Sequence, residues 1–275
     1  MNEGVRMVEA RELKACCAQL YSNDWVRTLA GESLHPGGLE LTRRLGRLLG
    51  LGPGRALLDV ACGYGSSALW LAGELDCEVT GVDYAQPSIA TARREAAASA
   101  VPARARFLSA DAEHLPLSDS SFDAVICECS FCTFPDKLAA AREIFRVLRP
   151  GGRFGLADLV RSGPLPAELV GLLGWVACIA DARPVAEYRS TLEACGFVVE
   201  LVEHHDTALA TLVDGIRRRL VGAQLASTLG KLDLPGIDLA AATSLARGAA
   251  RAIEDRRLGY ALLLAAKPAP GWPGR

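Results

Sequence analysis

Two groups of residues in this 275-residue chain have the types and spacing to do chemistry. The first is Asp59, the turn Gly63-Tyr64-Gly65, and Asp83. The second is the run Cys127, Cys129 and Cys132. A strand feeding a Gly-x-Gly turn and a helix N-terminus makes a cradle for a nucleotide-like ligand. Gly63 and Gly65 are expected to let the backbone approach the ligand where a Cβ would clash. The amides of the first helical turn then point at whatever sits above it.

The turn alone fits several ligands, and equally an ordinary strand–helix connection. Gly63, Gly65 and Ala68 match the dinucleotide pattern, and Asp83 stands at the distance of a ribose contact. Asp59 argues for a different ligand. A carboxylate at the strand end repels a pyrophosphate and attracts an ammonium or a sulfonium. S-adenosylmethionine carries both, together with a ribose diol that Asp83 can bind. Of the cysteines, Cys127 and Cys129 share one face if their strand stays extended. Small thiols often serve only as packing, and Cys127 is read that way.

These residues need a parallel sheet to position them. From residue 56 the chain alternates strands and helices, which signals helices on both faces of such a sheet. Expected strands are 56–60, 77–83, 105–110, 122–130, 153–160, 197–205 and 258–268, the last closing the sheet. Expected helices follow at 66–75, 87–98, 136–148, 165–180, 184–195 and through 207–257. Arg149-Pro150-Gly151-Gly152 stops the helix before the fifth strand. Residues 1–50 read as a helical N-terminal cap, 51–267 as the core with insertions at 165–183 and 207–257, and 268–275 as a tail. Both insertions leave the sheet near the ligand crevice, as lids or as peripheral packing.

Composition narrows the function classes. Half of the residues are hydrophobic, 23% are charged and the net charge is −2, so a globular chain without a nucleic-acid footprint is expected. No apolar run is long enough to span a bilayer, and no signal peptide is visible at the N-terminus. The nine cysteines are expected to be reduced thiols in a cytoplasmic protein with a small-molecule substrate.

The segments LLDVACGYG, TGVDYAQPSIATAR, SADAEHLPLSDSSFDAVICECS and EIFRVLRPGGRFGLADLV resemble the class I S-adenosylmethionine-dependent methyltransferases in order and spacing across residues 56–160. The resemblance implies a Rossmann-like doubly wound α/β sheet of seven strands, the last antiparallel. It implies that Asp59, Gly63 and Gly65 hold the methionine end of the donor, Asp83 the ribose, and Tyr84 flanks the adenine. Asp111 and Ala112 are implied to read the adenine edge. CECSFCTFPDK, and LVGLLGWVACIADARPVAEY further on, resemble the arsenite methyltransferase family. Cys129, six residues before Pro135-Asp136-Lys137, and Cys178, three past Trp175, match cysteines that bind trivalent arsenic in that family. Soft thiolates suit such a thiophilic centre. The family's third cysteine before the first strand is absent from TLAGESLHPGG, leaving Cys16, Cys17 or Cys132 as a third thiol or a site of two.

Competing readings remain open on the sequence. They are methyl transfer to an organic oxygen, nitrogen or carbon nucleophile, a nicotinamide-dependent oxidoreductase, and a non-catalytic donor-binding domain. A Tyr-x3-Lys pair that would favour the oxidoreductase is missing after the fifth strand. A zinc site from Cys127, Cys129, Cys132 and Cys178 lacks the second paired motif of a structural zinc centre. Cys77 and Cys195 read as core, His204 and His205 as an edge pair, and His114 as loop. Glu32 and His35 lie near the expected cap, and Tyr21, Trp25 and Trp175 are either pocket walls or core.

Overall fold

The computed structural model describes residues 12, 14, 15, 35–170, 174, 178, 179, 181–228 and 238–271. Among these, seven strands form one sheet: β1 (Ala56–Val60), β2 (Glu78–Asp83), β3 (Ala105–Ser109), β4 (Phe122–Glu128), β5 (Leu148–Arg161), β6 (Val198–His204) and β7 (Leu258–Ala266). Their order across the sheet is β3-β2-β1-β4-β5-β7-β6. β1 to β5 are parallel, and β7 runs antiparallel to both of its neighbours. The helices whose bounds lie among the described residues are α1 (Gly38–Leu48), α2 (Ser66–Glu74), α3 (Gln86–Ala98), α4 (Lys137–Val147), α5 (Val185–Glu193), α6 (Asp206–Thr228) and α7 (Leu239–Glu254).

The central strands are apolar on both faces because helices cover both, as parallel sheets require. Leu57, Leu58 and Val60 of β1 are all fully buried. They divide between two core clusters: Leu57 packs with α1 and α2, and Leu58 and Val60 pack with α4 and α5. Each such side chain contributes about 1.5–3 kcal/mol by leaving water. α4 begins at Asp136, whose side chain accepts the amide of Ala139 at 2.8 Å and caps the helix.

Two features depart from the sequence pattern. β7 does not close the sheet. It inserts between β5 and β6, leaving β6 at the edge. β5 also starts at Leu148, because Gly151 and Gly152 exchange backbone bonds with Lys267 beyond β7. Within 165–180, where the sequence pattern predicts a helix, the described residues show a 3-10 turn at Ala167–Leu169 and a helical Gly174, and residues 171–173, 175–177 and 180 lie outside the described set. The second insertion is the helix pair α6 and α7.

The chain runs outward from β1 to β3 and then returns to β4 on the other side of β1. That reversal splays the connections apart and leaves a crevice at the carboxyl ends of β1 and β4. Asp59 is paired in register with Gly81 of β2 and Ile126 of β4, so it sits at the crevice floor.

Candidate functional site

A cavity of about 510 Å³ occupies this crevice. Asp59, Gly63, Asp83, Tyr84, Asp111 and Ala112 all line it. Asp59 is 3% exposed, and its Oδ2 has no hydrogen-bond partner among the described residues. Burial pushes its carboxyl well above the ordinary range, and the negative neighbours Glu128 and Asp83 push it further. Asp83 Oδ2 accepts the Gly63 amide and Oδ1 the Ala85 amide, both at 2.8 Å. Burial raises the Asp83 carboxyl while these two amides oppose the rise. A carboxylate has about four lone-pair sites, so it retains acceptor capacity after gripping the turn.

Gly65 corrects a sequence expectation. It does not line the cavity, and a Cβ there would lie 2.7 Å from Phe107 Cζ. Its φ of +81° and this close packing of turn on sheet are what require glycine. At Gly63, with φ +53°, an added Cβ would meet no atom of the described residues within 4 Å. Of the two, Gly63 is the one that keeps backbone bare toward the cavity. Asp111 is also engaged: Lys14 Nζ donates to its two oxygens at 3.0 and 2.8 Å and to Glu113 at 2.6 Å. Any adenine contact at Asp111 shares that carboxylate with Lys14.

The cysteines separate according to backbone turns. β4 ends at Glu128, and Cys129 adopts a left-handed φ of +54°, so Cys127 and Cys129 do not share a face as an extended strand would give. Cys127 is fully buried in the cluster under α4, whereas Cys129 lines the cavity. Cys178, with φ +63°, lines it beside Cys129 and donates its thiol to Cys129 O at 3.1 Å. Left-handed backbone at a non-glycine residue costs on the order of 1–2 kcal/mol. Surrounding structure holds both positions: Cys129 N donates to Ala157 O at 2.7 Å. Lys137 Nζ donates to Cys132 O at 2.7 Å and to Asp181 at 2.5 Å, joining the β4–α4 loop to the segment that carries Cys178.

Cys178 also contacts the side chains of Cys129 and Cys132. The hydrogen bond to Cys178, then burial, pushes the Cys129 thiol up; burial leads for Cys132. Both are neutral thiols near neutral pH. Beneath them Asp158 is fully buried and accepts the Cys132 amide at 2.8 Å. No group of three or more His, Cys, Asp or Glu among the described residues is arranged to hold a metal ion, and Cys127 points away from the other three cysteines' cluster.

Sequence reasoning alone does not single out Glu128. Its carboxylate is 5% exposed, lines the cavity and accepts the Thr42 hydroxyl at 3.0 and 3.2 Å. The signal available was an acidic residue closing the apolar run Ala124–Cys127 at the end of β4. His35 lines the same end, with Nε2 3.3 Å from Ser67 Oγ and 3.4 Å from Thr42 Oγ1. His204 and His205 lie away from the cavity, and His205 pairs with Glu203 at 3.4 Å. His114 forms a local bridge to Asp111, Cys77 is core, and Cys195 is half-buried. Cys16, Cys17, Tyr21, Trp25, Glu32 and Trp175 lie outside the described residues.

A family model described as a methyltransferase domain matches residues 58–156. The 27-O-demethylrifamycin SV methyltransferase of Amycolatopsis mediterranei is 32% identical over 278 residues, covering 89% of this chain and 93% of that protein. The chain belongs to the class I S-adenosylmethionine-dependent methyltransferases. This methyltransferase shares its fold with the phosphoethanolamine N-methyltransferase 2 of Haemonchus contortus solved with S-adenosyl-L-methionine. The TM-score is 0.73 at 21% identity, over 90% of this chain and 56% of that one. The arsenite methyltransferase of Halobacterium salinarum is 29% identical over 191 residues, 68% of this chain and 49% of that protein. The likeness to arsenite methyltransferases is thus one among several, beside relatives named for oxygen and nitrogen acceptors. The donor is S-adenosylmethionine, and the unpartnered Asp59 oxygen and the bare backbone at Gly63 fit its cationic end.

Proposed function

We propose that this methyltransferase transfers a methyl group to a trivalent arsenical or a similar thiophilic centre held by Cys129 and Cys178. The observation that carries this reading is the meeting of two distant cysteines, one past β4 and one in the insertion, at the cavity wall. When bound, S-adenosylmethionine supplies an electrophilic methyl group on a sulfonium. Asp59, Gly63 and Asp83 would hold it, with Tyr84, Asp111 and Ala112 around the adenine.

Neutral thiols suit this acceptor. Arsenite has three hydroxyl groups, so two thiols displace two of them, and the thiol protons leave in the two waters released. The arsenic keeps its lone pair, which forms the bond to the methyl carbon as the carbon–sulfonium bond breaks. No general base is needed, and the chain's task is placement with water excluded. Cys132 also meets Cys178 and stands as a third thiol within reach of the pair.

A second reading, methyl transfer to an organic hydroxyl, draws support from the relative named for 27-O-demethylrifamycin and from Leu39 and Phe134 in the cavity wall. Intact-protein mass spectrometry with micromolar As(III) separates the two. Arsenic bound to the wild type and to Cys127→Ser, and lost in Cys129→Ser and Cys178→Ser, supports the arsenical. A wild type that binds none abandons it.

A further inference from the structure

Two buried carboxylates face the same end of the cavity, at Asp59 and Glu128. Like charges so placed repel each other strongly unless a proton or a cation lies between them. Among the described residues lining the cavity, the basic side chains are Lys14 and His35. Lys14 is ion-paired with Asp111 and Glu113 at the adenine end. His35 Nε2 stands 3.7 Å from Glu128 Oε2, within ion-pair reach when protonated but beyond hydrogen-bond length, and two hydroxyls lie nearer to it. Thr42, itself fully buried, has one hydroxyl proton to offer the two Glu128 oxygens. Asp59 Oδ2 has no donor at all among the described residues, although Asp59 is 97% buried by its 3% exposure. An unpartnered, buried oxygen beside a second under-satisfied carboxylate calls for a ligand that brings N–H donors and positive charge.

We infer that Glu128 is a donor-binding residue: its carboxylate, beside Asp59, seats the α-ammonium of S-adenosylmethionine, and Thr42 holds that carboxylate in place. This rests on the reading that the donor's amino-acid end lies over Asp59. The ammonium has three N–H groups, enough for Asp59 Oδ2 and a Glu128 oxygen together. Thr42 is a positioning residue, acting through Glu128 from α1 and so linking that helix to the donor.

The test compares ligands that differ in the amino-acid end. Calorimetry of wild type, Glu128→Gln and Thr42→Val is run with S-adenosylhomocysteine and with 5′-methylthioadenosine, which lacks the ammonium. Loss of a charged hydrogen bond predicts that Glu128→Gln binds S-adenosylhomocysteine about tenfold or more weakly, with 5′-methylthioadenosine unchanged. Thr42→Val shows the same pattern with a smaller loss, and it supplies the test if Glu128→Gln does not fold. Equal affinity of variant and wild type for S-adenosylhomocysteine, or equal weakening of both ligands, overturns the role of Glu128. A wild type that binds neither ligand instead overturns the placement of the donor.

Discussion

Substituting alanine at Gly63 and at Gly65 should have opposite consequences, although the two glycines are two residues apart in one turn. Each has a left-handed φ, at +53° and +81°, and forcing alanine there costs about 1–2 kcal/mol. Loss of backbone freedom in the unfolded chain returns about 0.4–1 kcal/mol. Gly63→Ala meets no atom of the described residues, so its net loss of stability is about 1 kcal/mol, a fall of roughly 3 °C in Tm. Gly65→Ala drives a methyl to 2.7 Å from the buried Phe107 ring and 3.2 Å from Ala92 Cβ, adding an overpacking cost of about 1–3 kcal/mol. Its Tm should fall by roughly 5–10 °C. The donor side reverses this order. A methyl on Gly63 projects where the donor lies, and a misfit of about 1–3 kcal/mol weakens S-adenosylhomocysteine binding roughly five- to 150-fold. Differential scanning calorimetry and isothermal titration on the same samples measure both quantities. Gly63→Ala binding S-adenosylhomocysteine as tightly as wild type refutes close approach of the donor to this turn. A thermally silent Gly65→Ala refutes its packing role.

Two further outcomes follow from the buried carboxylates. Asp83→Asn should bind S-adenosylhomocysteine about tenfold or more weakly by calorimetry, because the ribose loses a charged acceptor and an NH2 group faces either the Gly63 or the Ala85 amide; unchanged affinity removes Asp83 from the ribose. Asp158 is pushed up to about 7 by burial first and by Cys178 second, from an ordinary 3.8. The folded state therefore holds a proton that the unfolded state has released, so stability falls as pH rises from about 4 to about 7, by up to about 4 kcal/mol from this group. Urea unfolding of Asp158→Asn should show a flatter fall across that window, and a slope equal to wild type contradicts the assignment.

Local signals in the sequence reached far in the first half of the chain. The apolar run before Asp59 gives β1 with its full span, and Gln86–Ala98 differs by one residue from the helix expected there. The seven-stranded sheet with its antiparallel last strand follows from the family likeness. What escapes the sequence is decided by tertiary packing. The slot of β7 between β5 and β6 depends on cross-strand pairing that no local pattern encodes. Gly63 and Gly65 are alike in a sequence, and only the Phe107 ring beneath one of them separates packing from ligand approach. Cys127 and Cys129 look like one strand face until the chain turns at Cys129. Glu128 reads as a stray charge until Thr42 and Asp59 are beside it.

The most direct measurement is turnover with S-adenosylmethionine carrying a deuterated methyl, offered As(III) and a panel of organic hydroxyl compounds, with products read by mass spectrometry. A labelled methylarsenical from the wild type, absent with Cys129→Ser and with Cys178→Ser, is the predicted result. Label on a hydroxyl compound, with arsenic unmethylated and Cys178→Ser at full rate, would contradict it.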